Sequence, residues 1–163
     1  MNQWFQYRSN LRSQNTRGSA VDQVLFQGLT RACSIGEVGV TTSCNEPGCA
    51  LCHVLRCDFV DGHHRKVGYW GRGIYTTTAS NKADHFANNT SSQSRCGVVL
   101  LHKVLVGKRA ELGYKDTNLR QPPIGYNSVD ALTSDQGGVV KYSEVIVYRD
   151  DAILPWIMIV YNI

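Results

Sequence analysis

The strongest constraint on the fold is a set of apolar runs, each closed off by turn chemistry. Cys96 to Val106 reads CGVVLLHKVLV, rich in Val and Leu and too short to cross a membrane, which predicts a central strand. Val24-Leu25-Phe26, ended by Gln27-Gly28, predicts a shorter buried strand whose end offers backbone groups to a cleft. Near the C-terminus EVIVY from Glu144 and WIMIVY from Trp156 flank an Asp150-Asp151 turn. These predict two further strands, the last of them central. Helical spacing is confined to two short stretches. Trp4, Phe5, Tyr7 and Leu11 predict a helix laid against the body, and Ser80 is expected to cap a helix running to about Asn88 with Ala83, Phe86 and Ala87 on one face. Several strands with few short helices predict an α+β fold on a largely antiparallel, mixed sheet.

A chain of 163 residues suits one domain. We divide it into an N-terminal helical arm, residues 1–23, and a main body, residues 24–163. The net charge of +4 favours an anionic ligand but lacks the dense patch of a dedicated nucleic-acid binder. The N-terminus has no apolar core of a signal peptide, and the longest apolar run, Ala152 to Tyr161, is broken by Pro155. A soluble protein with no membrane association is therefore expected, intracellular and either cytoplasmic or nuclear. Residues 36–73 hold many Gly and most of the Cys and His with little periodicity, and read as one long loop. Four of the six cysteines fall in Cys44-x4-Cys49-x2-Cys52-x4-Cys57, with His53, His63 and His64 nearby. Cys49-x2-Cys52 is an acceptable zinc half-site, but the outer spacings are irregular. No metal is assigned; buried free thiols, a disulfide, and zinc on Cys44, Cys49, Cys52 and Cys57 stand as the alternatives.

Three separated blocks then carry a family resemblance: LFQGLTRACSIG at Leu25, GRGIYTTTASNKADHFA at Gly71 and YSEVIVYRDDAILPWIMIVY at Tyr142, with QPPIGYNSV at Gln121 between the last two. In order and rough spacing they resemble the catalytic domain of poly(ADP-ribose) polymerases. The resemblance implies the ADP-ribosyltransferase fold, makes residues 24–163 a catalytic domain, and implies NAD as the ADP-ribose donor. It places Gln27, Tyr75 and Glu144 at the three positions of the family's His-Tyr-Glu triad. By the same resemblance the backbone of Gly28 holds the nicotinamide carboxamide, Tyr75 and Phe86 sandwich the ring, and Ala83 lies beside it. An aromatic face suits that role, because the nicotinamide of NAD is a cation. Glu144 would stabilise the oxocarbenium-like ribose left when nicotinamide departs.

Each of these residues also has a plainer use. Glu144 fits a surface carboxylate on an edge strand, and Phe86 fits a core-facing helix residue as well as a stacking ring. Tyr69 and Trp70 are candidates for a lid over nicotinamide and equally for packing of the loop. Gly71 and Gly73 favour a cleft, since backbone without side chains lets a ligand approach. Against the family pattern, Gln27 replaces His, Leu29 stands where Ser or Thr is usual, and Ala83 where a Ser often bonds the carboxamide. The expected function is ADP-ribosyl transfer to an unknown protein or nucleic-acid acceptor, in single units more than chains. The alternatives are a weakly catalytic module that binds NAD or ADP-ribose, and an NAD hydrolase.

Overall fold

The computed structural model describes residues 3–14, 21–59, 65–90 and 94–163. Its strands form two sheets. The first has three strands in the order β1 (Asp22–Gly28), β4 (Cys96–Leu105), β8 (Ile153–Asn162), all antiparallel. The second has five, in the order β2 (Lys66–Gly68), β3 (Gly71–Thr76), β7 (Glu144–Val147), β6 (Ser128–Ala131), β5 (Arg109–Leu112). Every pairing in it is antiparallel except β5 with β6. Among the described residues there are three α-helices: α1 (Gln3–Gln14), α2 (Ala50–Cys57) and α3 (Ser80–Phe86). The α+β class and the antiparallel bias are as the apolar runs predict.

β4 is central because it is apolar on both faces. Eight of its ten residues are buried, in a core that also takes in residues of α1, of α2 and of the second sheet. α1 docks through Trp4 and Leu11, both buried, and the Arg8 guanidinium pairs with Asp22 at 3.1 Å. The five-stranded sheet has its own core around Trp70, Val129, Ile146 and Tyr148. The two sheets are stitched where Phe26 and Thr77 exchange both backbone hydrogen bonds, at 2.8 and 3.0 Å.

Three sequence expectations change. β8 pairs only with β4 and is an edge strand, with Trp156, Ile157 and Val160 all exposed; its apolar composition had pointed to the centre of the sheet. Residues 36–73 are not all loop. ALCHVLRC forms α2 because Leu51, Cys52 and Val54 bury one side of it, and β2 and the start of β3 follow. Ser80 does not cap α3: the N-cap is Ala79, without a side-chain bond, and Ser80 is the first helical residue. His63 and His64 lie outside the described residues.

Candidate active site

A cavity of about 690 Å³ opens beside the stitch between the sheets. β1 delivers Gln27 and Gly28, β3 delivers Tyr75, β7 delivers Glu144, α3 delivers Lys82, Ala83 and Phe86, and the β2–β3 turn delivers Tyr69. All seven residues expected to bind the ligand or act on it thus line one space. They meet because β1, β3 and β7 are brought side by side, and α3 folds back over the end of β1. Gly28 permits that last step: a Cβ there would lie 1.8 Å from the Ala83 carbonyl oxygen, so any side chain would push α3 away.

Glu144 is not the surface carboxylate of an edge strand. β7 is flanked by β3 and β6, Glu144 pairs with Ala131, and its carboxylate forms a tight ion pair with the Lys82 ammonium, both side chains being mostly buried. Lys82 also donates to the Tyr142 carbonyl at 3.3 Å. Lys82 is the site residue that sequence reasoning missed. Its adjacency to Ala83 gave no signal, because successive positions of a helix do not share a face.

The Tyr75 hydroxyl donates to the Gly71 carbonyl at 2.7 Å and accepts from the Trp70 N–H at 3.1 Å, so its ring is fixed by the preceding turn. Burial, against the pull of the Trp70 N–H and with help from the Glu144 charge, pushes its phenol up to about 12. Tyr75 is neutral at any ordinary working pH. Gln27 is buried, and its amide Nε2 donates to the Tyr75 carbonyl at 3.2 Å. Its Oε1 has no hydrogen-bond partner among the described residues, an orphan acceptor at a cavity wall. Phe86 is 48 % exposed and belongs to the cavity, not to the core. The Lys66 ammonium lies 5.6 Å from its ring centroid.

Trp70 is no lid. It is fully buried, its Nε1 donates to the Tyr114 carbonyl at 2.9 Å, and its own carbonyl accepts from the Tyr148 hydroxyl. Tyr69 alone of that pair faces the cavity, half-exposed beneath the Lys115 ammonium. Gly71 and Gly73 do not line the cavity. At Gly71, φ is +71° and a Cβ would stand 1.9 Å from the Leu119 carbonyl oxygen, while a Cβ at Gly73 would strike the Ile146 side chain. At Gly71 the closeness serves packing against the segment between β5 and β6, and at Gly73 packing against β7.

The candidate cysteines divide. Cys44, Cys49 and Cys52 come together, but with Cys33 and not Cys57, the four sulfurs all lying within 4.8 Å of one another. Cys57 ends α2 and is exposed. Among the described residues no helix is long and apolar enough to cross a membrane.

Comparison with curated proteins finds no match. The family model of the poly(ADP-ribose) polymerase catalytic domain matches residues 48–162, more than two thirds of the chain and everything in the cavity wall except the β1 contribution of Phe26, Gln27 and Gly28. Its span takes in both the strand that carries Tyr75 and the strand that carries Glu144, so the chain belongs to the poly(ADP-ribose) polymerase catalytic-domain family, one of NAD-dependent ADP-ribosyltransferases.

Proposed function

We propose that the cavity binds NAD and that the chain breaks the bond between nicotinamide and ribose, passing single ADP-ribose units to a protein or nucleic-acid acceptor. The observation that carries the reading is the convergence of Gln27, Tyr75 and Glu144, from three different strands, on one cavity. In this reading residues 24–163 make the catalytic unit and residues 1–23 an N-terminal arm whose helix α1 packs on it.

The lining suits a dinucleotide. Lys66, Lys82 and Lys141 face it against one carboxylate, Glu144, a balance that favours a pyrophosphate. The faces of Tyr75 and Phe86 attract the cationic nicotinamide by about 0.5–2 kcal/mol each. The position of Lys66 over Phe86 marks a spot where positive charge is already accommodated, and a nicotinamide ring there would displace the ammonium. The Gly28 backbone takes the carboxamide, with Ala83 packed beneath and Tyr69 at the rim. Glu144 accepts a hydrogen bond from a hydroxyl of the nicotinamide-side ribose and stabilises the positive charge that grows on the sugar as the bond breaks. Lys82 holds that carboxylate in place through their ion pair. At the other ribose, the orphan Oε1 of Gln27 supplies the acceptor for a hydroxyl.

A second reading, a module that binds NAD or ADP-ribose without turning it over, draws on the Lys82 ion pair, which occupies the carboxylate that catalysis needs. Incubation with labelled NAD separates the readings. Nicotinamide release with label on a macromolecule supports the transferase, and the length of the attached product tells single units from chains. Release without label on any acceptor indicates a hydrolase. Binding without release sinks both enzymatic readings and leaves the module.

A further inference from the structure

Between β1 and α2 the chain runs from Leu29 to Cys49 with turns and a single bridging residue, but no helix or ladder of its own. A stretch of that length in a folded domain needs something to hold it. Two devices do part of the work. The buried Arg31 guanidinium donates to the carbonyls of Ile35 and Cys96, and Leu51 N–H donates to the Thr30 carbonyl at 3.0 Å, drawing the start of α2 back against the exit of β1. The second contact is what brings Cys33 beside Cys49 and Cys52. Their sulfurs stand 3.8 and 3.5 Å apart, Cys44 completes the group, and Cys49 and Cys52 are fully buried.

We propose that Cys33, Cys44, Cys49 and Cys52 bind one zinc ion as a closed four-thiolate site that staples the β1–α2 segment to the body. A tetrahedron with zinc–sulfur bonds of about 2.3 Å has sulfur–sulfur edges of about 3.8 Å, the spacing this cluster approaches without any ion to impose it. Disulfides would join the sulfurs as separate pairs, whereas here all four converge on one another and none is bonded to another. Cys49 sits at the N-cap of α2 and Cys52 in its first turn, so one short stretch of helix start fixes two of the four sulfurs. Four sulfurs with no oxygen or nitrogen donor among them select zinc over magnesium or calcium. A closed set of four protein ligands marks a structural ion, not a catalytic one, and the site is separate from the cavity, so it stands whether or not the NAD reading does.

The test is metal analysis of the full chain, purified after expression with zinc supplied and dialysed against metal-free buffer. One zinc ion per chain is expected. Loss of an outer contact alone commonly weakens metal sites about 10- to 100-fold, so Cys33→Ser, which removes a ligand, is expected to lose its zinc under the same dialysis. Cys57→Ser is expected to keep it. Should Cys33→Ser fail to fold, chain expressed in cobalt-supplemented minimal medium gives the same answer through the intense visible and near-ultraviolet bands of tetrahedral cobalt thiolate. Alkylation of the native wild-type chain is expected to reach Cys57 while sparing the four until a chelator is added. A wild-type chain without zinc and without the cobalt spectrum overturns the proposal. So does iron in its place, a disulfide among the four, or zinc lost from Cys57→Ser but kept by Cys33→Ser.

Discussion

At the scale of single residues, the proposed chemistry rests on a carboxylate whose charge is already spoken for. Glu144 and Lys82 hold each other in a largely buried space, so removing the charge of one leaves the other unpaired. Glu144→Gln keeps the shape and deletes the charge; nicotinamide release is expected to fall about 10²- to 10³-fold while NAD binding survives. Undiminished turnover by this variant would refute the catalytic assignment. In the proposed reading Gln27 acts at the far ribose, where Nε2 gives one of its two hydrogens to the Tyr75 carbonyl and Oε1 has no partner among the described residues. Gln27→His offers a ring nitrogen on fewer rotatable bonds, and is expected to lower the Michaelis constant for NAD about threefold to tenfold with a smaller change in maximal rate. A change confined to the maximal rate would place Gln27 at the reacting bond instead. Both residues were legible in the sequence through their blocks. Lys82 and Cys33 were not, because each acts through partners distant in sequence: Glu144 in one case, Cys49 and Cys52 across a folded-back loop in the other.

At the scale of elements, β4 carries an unusual passenger. His102 is fully buried, packs edge-on to Phe59 at 5.5 Å, and neither ring nitrogen has a hydrogen-bond partner among the described residues. Burial pushes its imidazolium pKa down to about 3. The folded value thus lies below the unfolded value of about 6.5, so the unfolded chain takes up the proton first as pH falls. The contribution is intact above about pH 6.5 and is lost on the way down towards pH 3. From pH 7 to pH 5 this one residue is expected to cost about 2 kcal/mol, read as a lower urea midpoint. His102→Leu should flatten that dependence; an equally steep loss in the variant would assign it to other groups. Strand identity was legible for β1, β4, β7 and β8 because β-branched runs bounded by turns have few other uses. Strand position was not. WIMIVY is apolar enough for the centre of a sheet, yet β8 lies at an edge with three large side chains in solvent, since nothing in a strand's own composition says how many neighbours it finds. α2 escaped notice for the opposite reason, its apolar face being made partly of cysteines.

At the scale of the whole molecule, the cavity matters because it is walled by both sheets, and a ligand in it adds contacts across the Phe26–Thr77 stitch that the free chain lacks. A ligand bound only by the folded state raises stability by about 2.7 kcal/mol at a hundred times its dissociation constant. For a chain of this size each kcal/mol moves the melting temperature by about 2–4 °C, so saturating NAD is expected to raise it by roughly 5–11 °C. Glu144→Gln is expected to show the same rise without consuming the ligand, which separates binding from turnover. Ala83 extends the test to the carboxamide end. It lines the cavity with a bare methyl, and Ala83→Ser adds one hydroxyl that can bond the amide, worth about 0.5–1.5 kcal/mol or roughly threefold to tenfold in affinity. At a fixed subsaturating concentration of NAD the rise of the variant over its own ligand-free melting temperature should therefore exceed that of the parent by a few degrees, even though the hydroxyl at this buried position lowers the ligand-free value. A shift with ADP-ribose as large as that with NAD, and no gain from Ala83→Ser, would mean that the nicotinamide end goes unrecognised and that the cavity reads ADP-ribose alone.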